Sequence, residues 1–315
     1  MKEHVTADGK YQLIHTLILL LCSLIWGFAF VSQSVGAQYL GANAFLAFRS
    51  WIAVIFLIPV IKAADRFRVR KGEPTGKPRN RTQKKLFLTG GALCGTALFF
   101  ASAAQQIGIA YTSTAKAGFI TALYVILVPV ISIFLGRPPA GRIWICVGIG
   151  LAGLYCLCMT EGLDAINRGD VLMILCALIF SIQILLVGHF NSMMDGIRLS
   201  LMEMLTEAVL STIFLLIFER PTKEAVLAAL PALLYAGVMS SGVAYTLQIV
   251  GQKGLDPTIA SLVMCLESVF SAIGGFLILH QTLTVRELAG CALMFGAIVL
   301  SQLPHKEREQ GGIRW

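Results

Sequence analysis

Four ionisable side chains stand where lipid tolerates few: Arg49, Glu203, Glu207 and Glu267 each fall inside a long apolar run. Each costs roughly 2.5–3.5 kcal/mol on insertion scales, so a chain that keeps four must use them or pair them. Glu267 is the most informative. It lies about nine residues into its run, roughly 14 Å deep at the rise of a helix and close to midplane. A carboxylate there can bind a cationic or amino-bearing solute, exchange a proton for it, or make a structural hydrogen bond. It is therefore the coupling candidate. Glu203 and Glu207 stand one turn apart on one helix face. Glu203 is only about 6 Å from the end of its run, so residence at the interface, pairing with a basic side chain and a role in gating all remain open. Arg49 lies roughly 10 Å from the opposite face. That depth separates it from Glu203 and leaves two roles, an anchor bonded to helix carbonyls or a contact for anionic solute groups.

Neutral groups extend the set. Trp26, Tyr124, Gln183, Tyr245 and Gln248 also fall inside apolar runs. Thr121 is one turn before Tyr124, and Ser241 is one turn before Tyr245, so each pair shares a helix face. Aromatic faces can stack on flat solutes, and amides and hydroxyls can orient them. With Glu267 these residues form the candidate substrate-binding set; for each, packing within the bundle is the alternative. Gln105 and Gln106 read as interfacial. Pro129, in mid-run, frees a backbone carbonyl and marks either a kink beside a cavity or a plain bend.

Other chemistries lack their signatures. The eight cysteines (22, 94, 146, 156, 158, 176, 265 and 291) lie in apolar runs without a C-x-x-C pair, so neither disulfides nor a metal site is expected. No cofactor is implied. There is no phosphate-binding G-x-x-x-x-G-K-[ST] loop, no H-E-x-x-H and no G-x-S-G.

The elements that must hold these residues are ten apolar runs: 13–34, 42–61, 86–108, 116–135, 143–160, 171–190, 199–218, 229–250, 258–279 and 286–303. A hydrophobic fraction of 57%, 13% charged residues and a mean hydropathy of +0.78 exclude an ordinary soluble domain. Roughly 20 residues cross a bilayer core, and lipid cannot satisfy free backbone groups, so each run is expected to be a helix. The first run is long and follows a polar leader, so it reads as a retained helix rather than a cleaved signal. Small residues crowd several runs, among them Gly91 and Gly95, Gly148 and Ala152, Gly237 and Ser241, and Gly290 and Gly296. They allow close helix packing within the bundle or, on the fifth or tenth run, a homodimer face.

The net charge of +8 sorts by side rather than marking a nucleic-acid surface, since no aromatic residues interleave with it. With the N-terminus inside, 19 of the 25 basic residues fall on that side, ten of them in the loop 62–85. The positive-inside rule then places both termini in the cytoplasm and sets the basic loop against anionic lipid.

The runs also repeat. Leu21 to Gly27 echoes Leu175 to Ser181, and Ala117 to Leu123 echoes Ala260 to Leu266. Five is odd, so a second five-helix unit enters from the opposite side. The expected fold is an all-α membrane protein of ten transmembrane helices in two inverted repeats, 13–160 and 171–303. The second echo pairs Tyr124 with Glu267.

Leu24-Ile25-Trp26-Gly27, Phe48-Arg49, Ala117 through Pro129 and Leu266 through Phe270 resemble, in that order, the motifs of the EamA-type branch of the drug/metabolite transporter superfamily. The resemblance covers about residues 13 to 303. It implies an inner-membrane carrier whose helices one, three, four, six, eight and nine surround the cavity, and whose members move metabolites, amino acids or drugs, often outward. Two departures stand out. Ser268 replaces a proline, which implies a straighter ninth helix. Gly136-Arg137 and His280-Gln281 stand where a glutamate commonly follows helices four and nine.

The expected function is that of a non-enzymatic secondary carrier in the cytoplasmic membrane. It would move a small organic metabolite or drug-like solute, an amino acid or amine among the candidates, outward by alternating access. A proton or counter-solute would be its coupling partner, and it would work as a monomer or homodimer. A passive channel and an intramembrane lipid-modifying enzyme are the alternatives, and neither a charge ring nor a carbonyl filter supports the channel.

Overall fold

The computed structural model describes the backbone of residues 2–111, 114–158, 167–279 and 284–302. The side chains of Lys2, Lys116 and Cys158, together with His280, Gln281, Lys306, Arg308 and Arg314, lie outside the described residues. The described chain is helical and contains no strand. Its elements are α1 (Lys2–Ala37), α2 (Ala42–Arg70), α3 (Arg81–Gly108), α4 (Thr114–Thr121), α5 (Tyr124–Phe134), α6 (Gly141–Cys158), α7 (Arg168–Asn191), α8 (Gly196–Phe218), α9 (Lys223–Ala228), α10 (Leu230–Leu234), a π-helical stretch (Tyr235–Ala244), α11 (Tyr245–Gly251), α12 (Pro257–Met264), α13 (Glu267–Leu279) and α14 (Val285–Gln302). Among the described residues, eight helical segments are long and apolar enough to cross a membrane, and Gly141–Leu157 is a shorter apolar helix.

Three features differ from the sequence reading. Helix α2 runs on through Arg70 and α3 begins at Arg81, so only 71–80 of the basic segment is non-helical. The extension of α2 is fastened to the turn before α8: Arg68 pairs with Asp195 at 2.6 Å, and Arg198 pairs with Asp65. The second difference is a break in the fourth and ninth runs. Residues 122–123 separate α4 from α5, and 265–266 separate α12 from α13. At both places tighter i→i−3 bonds replace helical ones, Leu123 N to Ile120 O and Leu266 N to Val263 O. The break in the ninth run needs no proline, so Ser268 does not straighten it. Pro129 is buried within α5, beyond the break rather than at it. The third difference is that the eighth run is π-helical through its centre, with Tyr245 N bonded to Ser240 O.

Close packing rests on small residues. A Cβ built on Gly153 would lie 2.7 Å from the Gly290 carbonyl oxygen, and one on Gly290 would lie 2.6 Å from that of Gly153. Gly150 approaches Ala297 further along, so α6 and α14 run antiparallel with backbones in contact. Helices α3 and α7 do the same at Gly108 and Gly169, and again where Gly90 meets Phe190. Gly27 seats α1 on Phe270 of α13, and Gly237 seats the π stretch on Ile52 of α2.

Helices α2 and α8 are joined along their length. At one end the Glu219 carboxylate accepts from Asn43 N, Asn43 Nδ2 and Ala44 N, each at 2.9 Å. It thereby satisfies N–H groups that the first turn of α2 leaves free. Trp51 Nε1 donates to Thr212 Oγ1 at 2.9 Å further in.

Gly290→Leu should force α6 and α14 apart and destabilise the fold by about 1–3 kcal/mol, the usual range for overpacking. Gly148→Leu, where a Cβ meets nothing within 4 Å, should leave thermal unfolding in detergent unchanged.

Candidate functional site

A cavity lies at the centre of the bundle. The void between its walls, with the open space at its mouth included, is about 480 Å³. Its wall is drawn from both parts of the chain: Trp26, Phe30 and Gln33 of α1, Arg49 of α2, Gln105 of α3, Thr121 of α4 and Tyr124 of α5. Across from them stand Phe180 and Ile184 of α7, Ser240 of the π stretch, Tyr245 and Gln248 of α11, Met264 of α12 and Glu267 of α13.

The two helix breaks build one side of it. Tyr124 and Glu267 are the first residues after the breaks. Tyr124 donates its hydroxyl hydrogen to Glu267 Oε1 at 3.1 Å. Cys265 Sγ donates to Ala122 O at 3.5 Å, so the breaks themselves face one another. Glu267 is 6% exposed, with its carboxylate held by a phenol rather than by a cation. On the opposite side Trp26 and Tyr245 meet edge to face, with ring centroids 4.8 Å apart. Trp26 Nε1 has no hydrogen-bond partner among the described residues.

Of the eight candidate binding residues, the wall holds Trp26, Thr121, Tyr124, Tyr245, Gln248 and Glu267. Gln183 and Ser241 stand outside it. Ser241 is displaced because a π-helix bonds i to i+5, which puts Ser240, not Ser241, one turn before Tyr245. Gln183 is fully buried behind Gln248, whose Nε2 donates to Gln183 Oε1 at 3.2 Å.

Glu203 and Glu207 of α8 turn into the bundle, and Glu207 has the basic partner that the sequence reading allowed. Glu203 and Glu207 are both fully buried. Arg49 Nη2 donates to Glu207 Oε1 and to Ser102 Oγ, both at 3.1 Å, while Ser50 Oγ donates to Glu207 Oε2 at 3.0 Å. Arg49 is thus held by side chains rather than helix carbonyls, and it still contributes to the cavity wall. Glu203 Oε1 accepts from Gln183 Nε2 at 2.7 Å. Depth along a helix was the only coordinate the sequence supplied for these residues; it carried no information on which way the shared face turns. Gln105 and Gln106 are likewise buried in the bundle, and Gln106 Nε2 donates to Gln33 O at 3.3 Å.

Phe30, Gln33, Phe180, Ile184 and Met264 were not among the sequence candidates. Their signal is spacing: Phe30 and Gln33 follow Trp26 along one face of α1, and Ile184 is one turn from Phe180. No group of three or more His, Cys, Asp or Glu that could hold a metal occurs among the described residues.

Comparison with known proteins gives this geometry a setting. The EamA-like transporter family matches residues 13–159 and again 167–303. A protein of Archaeoglobus fulgidus described as an uncharacterized transporter is 27% identical over 309 residues, covering 96% of this chain and 90% of that protein. A protein solved by crystallography shares the fold with a TM-score of 0.72 at 19% identity, over 92% of this chain and 98% of that one.

Removing one partner of the Arg49–Glu207 pair leaves a buried charge alone. Arg49→Met or Glu207→Met should each destabilise the protein by about 3–5 kcal/mol, and the double substitution by much less. Thermal unfolding of the four proteins reads the coupling directly.

Proposed function

We propose that this chain, which belongs to the EamA-like transporter family and is a multi-pass membrane transporter, is a secondary carrier that works by alternating access through the central cavity. Its cargo is a small organic solute bearing an amino group, such as an amine or amino acid. Its direction is outward across the cytoplasmic membrane, in exchange for a proton at Glu267. Both termini are cytoplasmic. The observation that carries this reading is the Tyr124–Glu267 contact inside a cavity whose wall comes from both matched segments. Carriers of this kind place their sites between repeats, at discontinuous helices.

Packing supports the inverted repeat. Two seams join corresponding helices of the segments, α2 with α8 and α6 with α14, each antiparallel. The contacts of α3 with α7 have their exchanged counterpart in α1 with the π stretch and α11, where Cys22 Sγ donates to Ala244 O and Tyr235 OH to Ile25 O. The breaks at 122–123 and 265–266 fall at the positions that the second echo relates.

The seams also refine what moves. Rocking one whole repeat against the other would shear both seams. A motion that preserves them carries α4, α5, α6, α12, α13 and α14 together against α1, α2, α3, α7, α8, the π stretch and α11. The bonds that change are then those of α4 and α5 with α7, and of α12 and α13 with α1. Within the moving group Tyr124 and Glu267 stay together, so Glu267 can pass a proton or an ammonium group between two openings.

A thermal-shift screen against a metabolite library supplies the solute. In proteoliposomes an imposed pH gradient should then drive that solute toward the acidic compartment, since solute and proton move oppositely. Glu267→Gln should abolish the response. Flux that ignores the gradient and survives the substitution contradicts proton exchange. Orientation has its own test, with native cysteines replaced. An impermeant maleimide should label Thr222→Cys on intact cells, and Thr75→Cys only after permeabilisation.

A further inference from the structure

The connection between α2 and α3 encloses a second cavity, away from the central one. Its void, with the open space at its mouth included, is about 750 Å³. One wall is the segment 74–79 with the start of α3, and the other is the turn from α7 into α8. The connection is held in place at both ends. A Cβ built on Gly76 would lie 2.6 Å from Asp195 Cγ and 2.7 Å from Arg68 Nη1, so the chain presses directly on the Arg68–Asp195 pair. Further on, Arg79 N donates to Gln83 Oε1 at 2.7 Å, and Gln83 N donates to Asn80 Oδ1 at 2.8 Å. These bonds cap α3 and fix the chain's entry into it.

The lining sorts by polarity. Lys77 and Arg79 line the cavity and are exposed, and neither has a carboxylate partner among the described residues. Asp195 is the acid in the wall, and it is already engaged. It pairs with Arg68 at 2.6 Å and accepts from Arg198 N at 3.1 Å as the cap of α8. The two free charges in the cavity are therefore both positive. Beside them lie Leu86 and Phe87, where the third apolar run begins, and Met193 and Met194, just past the end of the sixth. Met193 is 45% exposed although it is apolar. The change from cationic to apolar lining thus falls where the runs leave the hydrocarbon, which is the depth of lipid headgroups.

We propose that this cavity is a site for one anionic phospholipid, with Lys77 and Arg79 on its phosphate and Leu86, Phe87 and Met193 against the upper part of its acyl chains. General attraction of the basic segment to an anionic membrane needs only charge, spread over the ten basic residues of 62–85. The cavity adds a fixed frame, two unpaired cations and an apolar floor at acyl depth. The planar guanidinium matches phosphate oxygens two at a time, and the ammonium adds a compact charge. Because the walls come from both matched segments, a bound lipid bridges them beside the Arg68–Asp195 pair. The site depends neither on the identity of the solute nor on proton exchange.

The full chain, purified in a neutral detergent, is titrated by calorimetry with three probes. Dihexanoyl phosphatidylglycerol has an anionic head and short chains. Dihexanoyl phosphatidylcholine has the same chains and no net charge, and glycerophosphoglycerol has the anionic head without chains. The wild type is expected to bind the first saturably, about tenfold or more tightly than either of the others. Two cations beside one phosphate and a few buried methylenes are each worth about that factor. Lys77→Gln with Arg79→Gln should erase the preference for phosphatidylglycerol over phosphatidylcholine. Lys84→Gln with Lys85→Gln removes the same charge from the same segment but outside the cavity, and should keep it. All four side chains are exposed, so both variants are expected to fold as the wild type does. Met193→Asn should weaken both lipids and leave their ratio unchanged. Equal loss of preference in the two double variants means charge alone and overturns the proposal. Glycerophosphoglycerol binding as tightly as the lipid marks a free-phosphate site and overturns it, as does the absence of saturable binding. No flux is read, so none of these results bears on the carrier reading.

Discussion

A charge inside a membrane must meet its partner inside the protein, and the pairing of Arg49 with Glu207 meets that constraint between α2 and α8. Desolvation makes either charge alone costly. Ser50 and Ser102 complete the pair by occupying remaining positions on the carboxylate and the guanidinium. Because Arg49 also faces the cavity, the same interaction that ties the two segments together places a cation in the cavity wall. The Glu219 cap and the Asp65–Arg198 pair extend the fastening toward both ends of the seam. Glycine contacts between α6 and α14 make a second seam without any charge. In the proposed mechanism these two seams hold while the space between them opens.

The polar groups divide by how they are satisfied. Arg49 Nη2 bonds both Glu207 and Ser102, which holds the structural pair, while Arg49 Nε has no partner among the described residues. Glu267 is held by one phenol, and Gln248 and Trp26 keep a polar atom unpartnered in the cavity wall. Water or a solute has to supply what the protein does not. The π-helical turn belongs to the same picture. It rotates Ser240 onto the face of Tyr245 and lets Gly237 seat the segment against α2. Such turns recur at functional sites because they re-aim side chains without ending the helix.

Much of this was legible in the sequence, and the reason is the repeat. The echo that relates Ala117 with Ala260 also relates Tyr124 with Glu267, and those two side chains touch. Hydropathy marked the helices, because lipid leaves few alternatives for an apolar run. Rotation about the helix axis was not legible. Counting residues gives Glu203 and Glu207 a depth along their helix, whereas their burial depends on which neighbour the face meets. A period of 3.6 points to Ser241, whereas the π-helical backbone brings Ser240 onto the face of Tyr245. The breaks at 122–123 and 265–266 have no proline to announce them; they arise from a tighter bonding pattern that composition does not encode.

The central claim is that the cavity beside Glu267 is the path of the solute and opens to one side at a time. Ser240 lies in its wall and offers a site for a reporter. The most direct measurement is the reactivity of Ser240→Cys, in a chain whose native cysteines are replaced, toward a charged impermeant thiol reagent applied from each side of sealed vesicles. The account predicts reaction from either side, with the fraction exposed to one side falling as the other rises when the gradient is reversed. A residue that reacts from neither side, or from both at once in a continuous pore, contradicts it.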